Sequence, residues 1–172
     1  MTVPISVVIP VGPLPHHRAH LSECLTSVCT QTQPTDDLVL VDELAYPGLG
    51  IAGAFNKGVE LARNELVFLL GSDDWLYPRA LSLCWAEWQR NPQPLGWYFV
   101  GVRDSSGYEQ NTPCLAAMVT KTLWRTAGGL KADFRPYPSC EIEYISRMLI
   151  AGGKLGATWR VSDDVLYYWR KR

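Results

Sequence analysis

Two adjacent carboxylates, Asp73 and Asp74, follow the short apolar run Leu66 to Leu70 and a Gly71-Ser72 step. A run of that length, closed by turn-forming residues, reads as a buried strand. Two acids delivered at the carboxyl end of a strand suit a hard divalent cation, which binds through one or two carboxylates and carries substrate phosphates. Pro78 follows at a spacing that fits the first turn of a new helix. A second acid-ended strand lies upstream, where Leu38-Val39-Leu40-Val41 closes on Asp42-Glu43. A third strand, Ile5-Ser6-Val7-Val8-Ile9, runs into the tight loop Pro10-Val11-Gly12-Pro13. The carboxyl edge of an open α/β sheet is where such folds bind ligands.

The intervening residues predict the elements that would bring these groups together. Leu21, Cys24, Leu25 and Val28 recur at helical spacing, which predicts a helix over roughly 16–31. Two strands joined by a helix form a right-handed parallel unit, so Asp42 falls at the same sheet edge as Val11 and Gly12. Phe55, Val59 and Ala62 mark a second helix over about 51–63, which returns the chain to the strand before Asp73. A third helix is expected from Pro78 to about Arg90, stopped by Asn91-Pro92-Gln93-Pro94. Beyond it the pattern predicts strands at 96–102, 115–119, 155–161 and 165–169. It also predicts a turn at Asp104-Ser105-Ser106-Gly107 and helices over 121–127 and 139–151. The class is α/β, with a mixed, mostly parallel central sheet flanked by helices, in one domain over residues 1–172.

With 172 residues, 47% of them apolar and 19% charged, the chain reads as globular with a real core. A formal net charge of −1 gives no field that favours nucleic acid or an anionic membrane. Residues 1–10 lack the basic region of a signal peptide, and no apolar run approaches the roughly 20 residues of a membrane span. Five cysteines, an odd number with no CxxC pair, read as reduced and mostly buried thiols. The expectation is a cytoplasmic protein with no transmembrane segment.

Seven segments, in order, resemble one family. They are ISVVIPV (5–11), HLSECLTSVCTQTQ, LVLVDE, NKGVELARNELVFLLGSDDWLYPRAL, LWRTAGGLKADF, CEIEYISRMLIAGGKL and VLYYWRKR. Their order and spacing resemble the inverting glycosyltransferases of family 2, which have the GT-A fold of nucleotide-diphospho-sugar transferases. The resemblance implies a metal-dependent enzyme that moves a hexose from a UDP-sugar, UDP-glucose or a related UDP-hexose, to a hydroxyl acceptor in glycan or polysaccharide synthesis. It implies Mn²⁺ or Mg²⁺ as cofactor. Asp42 would accept a hydrogen bond from the base of the donor, with Pro10, Val11 and Gly12 flanking that base. Asn56 would belong to the donor site, Asp73 would lie near the ribose and the metal, and Asp74 would ligate the metal directly. Glu141 would be the general base, and Arg147 matches an arginine common in the family.

The chain departs from the family pattern at three positions. Gly71 stands where an acid is usual, Glu141 where aspartate is more frequent, and Arg172 where a histidine often touches the metal or diphosphate. Arg172 either pairs with the diphosphate, as a guanidinium can, or is an exposed basic tail. Other residues also have plain structural readings. Asp73-Asp74 could cap a helix, and Glu143 with Arg147 could be an i,i+4 surface pair. His16, His17 and His20 read as loop and helix-surface residues. Trp75, Trp124 and Trp159 could stack on sugar rings or pack the core.

Two other functions remain in view. A non-catalytic sugar-nucleotide or glycan-binding module would keep the fold with a degenerate site. A nucleotidyltransferase would need a basic phosphate loop after the first strand, and Pro10 to His17 has neither lysine nor arginine. A short chain would offer a shallow acceptor site, which a second copy in a homo-oligomer could complete.

Overall fold

The computed structural model describes residues 1–110, 112, 114–131, 142–148, 150 and 158–170. Its strands are β1 (Val3–Val11), β2 (Thr35–Asp42), β3 (Leu66–Leu69), β4 (Trp75–Leu76), β5 (Trp97–Asp104), β6 (Glu109–Gln110), β7 (Ala117–Thr120) and β8 (Thr158–Trp169). Its helices are α1 (Pro15–Arg18), α2 (Leu21–Cys29), α3 (Gly50–Leu61), α4 (Ala80–Arg90) and α5 (Lys121–Ala127), and residues 142–148 are also helical. The strands join in one sheet of order β2-β1-β3-β7-β5-β8-β4, with β6 beside β5. The longer ladders, β1 with β2, β1 with β3 and β5 with β8, are parallel. The shorter ones, β3 with β7, β7 with β5, β8 with β4 and β5 with β6, are antiparallel. By paired residues the mixed sheet is therefore mostly parallel, as the sequence predicts.

Helices cover both faces, which is why β1 and β3 read as continuous apolar runs. Val3, Ile5, Val7, Ile9 and Val11 point to the layer of α2 and α4, where they meet Cys24, Val28, Leu81 and Cys84. Val8 points to the other layer, with Phe55 and Val59 of α3, Leu123 and Trp124 of α5, and Tyr144 and Met148 of the 142–148 helix. Ser6 interrupts the apolar pattern and is fully buried. Its hydroxyl donates to Asp37 Oδ2 at 2.6 Å, which satisfies the polar group. Gly58 lets α3 lie directly on the sheet, because a Cβ there would come within 2.2 Å of Val8 Cγ1 and 3.2 Å of Val41 Cγ2.

Several boundaries differ from the sequence expectation. The helix expected over 16–31 is two helices, broken at Ala19 and His20, where His20 leaves helical geometry at φ −115°, ψ 8°. Gln31 explains where α2 must stop. It is buried, its amide donates to Ser27 O and Tyr77 O at 2.9 Å, and its Oε1 accepts from Leu81 N at 3.1 Å. The third helix starts at Ala80, two residues after Pro78, whose carbonyl accepts from Thr32 N at 2.8 Å. The two closing strands are one, β8, and the register against β5 jumps from Phe99↔Arg160 to Gly101↔Val165. Ser162-Asp163-Asp164 is accommodated there as an irregularity, a device that bends a strand without ending it. Within the expected 139–151 helix, the described residues 142–148 are helical.

Candidate active site

The ends of β2, β1 and β3 lie side by side. Val11 pairs with Asp42, and Leu70 N donates to Val8 O at 3.0 Å, so Gly12, Asp42 and the Gly71–Asp74 segment leave the sheet at one edge. Pro10 and Val11 are buried, which directs their side chains into the core and leaves their backbone to line the edge. Gly12 is partly exposed and is crossed closely by His17, where a Cβ would lie 2.0 Å from the imidazole Nδ1. Helix α1 therefore folds back over the end of β1. It is tied to β3's end by Ser72, whose hydroxyl donates to His17 O at 3.0 Å.

Asp42 is held from two directions. Its Oδ1 accepts from the Arg18 guanidinium and, at 2.9 Å, from Leu44 N. The Arg18 hydrogen bond, aided by the Leu44 N–H, holds the carboxyl below the usual carboxylate range, so it is ionised at neutral pH. Arg18 is a residue that the sequence reading passed over. It lies one position beyond the loop searched for basic residues, and only the topology brings it to Asp42.

Asp73 and Asp74 diverge after the turn. Asp73 is partly exposed, whereas Asp74 is only 6% exposed and turns back under the sheet edge. Its Oδ2 accepts from the Tyr167 hydroxyl at 2.6 Å and its Oδ1 from Arg170 N at 2.8 Å. The same Tyr167 oxygen accepts from Gly71 N at 3.1 Å. Burial pushes the Asp74 carboxyl up to about 6, against the pull of Tyr167 and the Arg170 N–H, and the charge of Asp73 pushes it the same way. The Arg170 guanidinium is occupied elsewhere: it reaches Glu23 at 2.7 Å and Asp73 O at 3.1 Å, and lies 5.2 Å from the Trp75 ring centre. Trp75 itself stacks on Tyr168 at 3.6 Å.

This donor set fits a hard divalent cation. Asp74 is a buried carboxylate whose direct partners are a neutral phenol and a backbone N–H, with a second acid beside it. The charge of Arg170 offsets the burial only in part, and a bound cation would supply more. Each oxygen has accepted one hydrogen bond, and a carboxylate offers about four acceptor positions, so lone pairs remain. Among the described residues no group of three or more His, Cys, Asp or Glu could hold a metal. A cation here would complete its shell with water and phosphate oxygens, the usual arrangement for Mg²⁺ at substrate phosphates.

Asn56 sits on α3, and its amide is used by the backbone. Its Nδ2 donates to Leu130 O at 2.7 Å and its Oδ1 accepts from Leu130 N at 2.9 Å. Gly129 makes this approach feasible, since a Cβ there would lie 2.4 Å from Asn56 Oδ1. Arg147 pairs with Glu143 at 2.5 Å, as the i,i+4 reading expects, and also donates to Ala127 O and, at 2.7 Å, to Gly129 O. Both side chains thus fasten the Gly128–Leu130 loop, one to α3 and one to the 142–148 helix. Trp124 is buried against Tyr144, which places it in the core, and Trp159 stacks on Tyr98. Glu141 and Arg172 lie outside the described residues. Tyr167 and Arg170 were missed by the sequence reading; Val165 to Trp169 is apolar or aromatic throughout, and Leu166 and Tyr167 are both buried, so no alternation singles out Tyr167.

Comparison with known proteins agrees with this architecture. Residues 47–140, more than half of the 172, match the family described as Glycosyl transferase family 2. No curated protein matches the chain. Among solved structures, S. aureus TarS 1-349 in complex with UDP-GlcNAc matches with a TM-score of 0.76 and 14% identity, over 100% of this chain and 59% of that one. The same TarS segment in complex with UDP matches with a TM-score of 0.74 and 14% identity, over 99% and 61%. The chain therefore spans about three fifths of the TarS segments it matches. At that identity the likeness is one of fold, and the fold is GT-A. Together with the matched segment it gives the conclusion that the chain belongs to glycosyl transferase family 2.

Proposed function

We propose that the protein transfers a hexose from a UDP-sugar to an acceptor hydroxyl, with inversion, supported by Mn²⁺ or Mg²⁺. The observation that carries this reading is the convergence of Asp42 and the Asp73–Asp74 pair on one sheet edge in a family 2 chain. The TarS complexes, which hold UDP and UDP-GlcNAc, support a uridine nucleotide as donor. The backbone of Pro10, Val11 and Gly12 would form one wall for the base, and ionised Asp42 would accept its N–H. Asp73 and Asp74 would hold the cation, which when bound offsets the charge that develops on the departing diphosphate. Tyr167 and Arg170 N fix the Asp74 carboxylate, so its direction is set before substrate arrives.

An acceptor hydroxyl is a poor nucleophile and must lose its proton as it attacks. Glu141 is proposed as the group that takes it. The helix over 142–148 follows Glu141, and Arg147 ties that helix to Gly129 O. A second copy could complete the acceptor side, and light scattering would show it as a dimer. The buried thiols of Cys24 and Cys84 are pushed up, to about 12 for Cys24, by burial. The thiols of Cys24, Cys29 and Cys84 are free, which supports a reducing, cytoplasmic setting.

The test is UDP release from a panel of UDP-sugars with Mn²⁺ and glycan acceptors. Turnover that falls by roughly 10²-fold or more in Glu141→Gln, with donor binding kept, supports the base role. UDP binding without release from any donor would favour a non-catalytic binding module. Full turnover in Asp74→Ala would refute the metal assignment.

A further inference from the structure

We propose that Arg18 is a contact for the donor diphosphate, held on Asp42 until a nucleotide enters. The inference rests on the UDP-sugar reading above and adds a residue to it. Helix α1 crosses the end of β1 between the two acidic strand ends. On one side its His17 carbonyl accepts from Ser72, the residue before Asp73; on the other, the Arg18 guanidinium bonds Asp42. Arg18 therefore sits on the path from the proposed base contact to the proposed metal contact. Without Arg18, a diphosphate along that path would have the cation on Asp73 and Asp74 at one end and the bare carboxylate of Asp42 at the other.

The state of the guanidinium supports the assignment. Its Nε is buried and has no hydrogen-bond partner among the described residues. Buried N–H groups ordinarily have partners, so a ligand oxygen is the natural complement. A guanidinium presents five donors in a planar fork that fits phosphate oxygens, and the Asp42 bond uses one of its terminal nitrogens. Arg170, which also lies near this edge, is committed to Glu23 and Asp73 O. When the base takes Asp42, Arg18 loses part of its hold there and is within reach of the phosphates that follow the ribose.

The role separates from simple orientation of Asp42 by a ligand series. Uridine, UMP and UDP are titrated into the wild-type protein, Arg18→Gln and Arg18→Lys, by calorimetry with Mn²⁺. The proposal predicts uridine affinity within about twofold in all three proteins. It predicts UDP weakened by about 10- to 100-fold in Arg18→Gln and by less in Arg18→Lys, which keeps the charge but loses the fork. Arg18→Lys also serves as the folded control if Arg18→Gln melts early. Equal weakening of uridine and UDP would mean that Arg18 only orients Asp42 and would overturn the proposal, as would unchanged UDP affinity. A wild-type protein that binds none of the three would overturn the uridine-nucleotide reading itself, and Arg18's role with it.

Discussion

Adding one methyl group at Gly71 is the sharpest test of how the acid pair is held. Gly71 does not have a positive φ, so its substitution by alanine acts through the Cβ alone. That Cβ would lie 2.5 Å from Asp74 Oδ2, and real contacts stay above 3.0 Å, so the carboxylate must retreat by at least about 0.5 Å. It cannot do so freely. Oδ2 is held by Tyr167 at 2.6 Å and Oδ1 by Arg170 N at 2.8 Å, and one of those bonds must stretch or break. Overpacking costs about 1–3 kcal/mol and a lost hydrogen bond to a charged group about 1.5–3, so a combined loss of about 2–4 kcal/mol is expected. For a chain of this size that is a fall in Tm of about 5–15 °C. The Mn²⁺ concentration for half-maximal turnover should rise about tenfold, since partners that orient a ligand tune metal affinity on that scale. Thermal unfolding and a Mn²⁺ titration of UDP release read both. In a cycle with Tyr167→Phe the double variant should lose less than the sum, because both changes act on one hydrogen bond. An alanine variant that melts with the parent and needs no more Mn²⁺ would mean that Tyr167 and Arg170 N do not fix the Asp74 carboxylate.

Other perturbations test the scaffold around the site. Asn56→Ala should lower stability by about 2–3 kcal/mol, because it strips the Leu130 N–H and carbonyl of their partner; weaker UDP binding with an unchanged Tm would instead make Asn56 a donor contact. Gly58→Ala should cost about 1–3 kcal/mol through the 2.2 Å clash with Val8, and Val8→Ala should recover part of it; additive losses would contradict that contact. Burial pushes Asp37 up, but the hydroxyl of Ser6 and the N–H groups of Arg63 outweigh it and leave the carboxyl below its ordinary 3.8. Because the folded pKa lies below the unfolded one, this stabilisation is complete above about pH 4 and is lost as pH falls through the folded value. Asp37→Asn should therefore flatten the acid limb of urea midpoint against pH, whereas parallel limbs would contradict it.

Local patterns in the sequence were enough to place the sheet edge. Short apolar runs marked β1, β2 and β3, period-3.6 spacing marked the helices between them, and the handedness rule for parallel units brought Asp42 and Asp73–Asp74 together. What stayed hidden depends on contacts between residues far apart in the chain. Gly71 reads in sequence as a missing acid. In the structure it is the space into which the Asp74 carboxylate turns, and the group that fixes that turn, Tyr167, lies 93 positions away. Asn56 reads as a donor contact by resemblance, but its amide is used by Leu130, 74 positions on. The break at Ala19–His20 accompanies the fold of α1 over Gly12, and the stop of α2 follows from Gln31; neither has a periodic signal. The bulge at Ser162–Asp164 looked like a gap between strands because three polar residues resemble a turn.

The central claim is that the ends of β1, β2 and β3 form the donor site. A crystal structure of the protein soaked with UDP-GlcNAc and Mn²⁺ tests it most directly. In that crystal the uracil should lie between the Pro10–Gly12 backbone and Asp42, the metal on Asp73 and Asp74, and the diphosphate alongside Arg18. Nucleotide bound elsewhere, for example in the open groove of about 420 Å³ between α2 and Trp75, with the sheet edge empty, would contradict it.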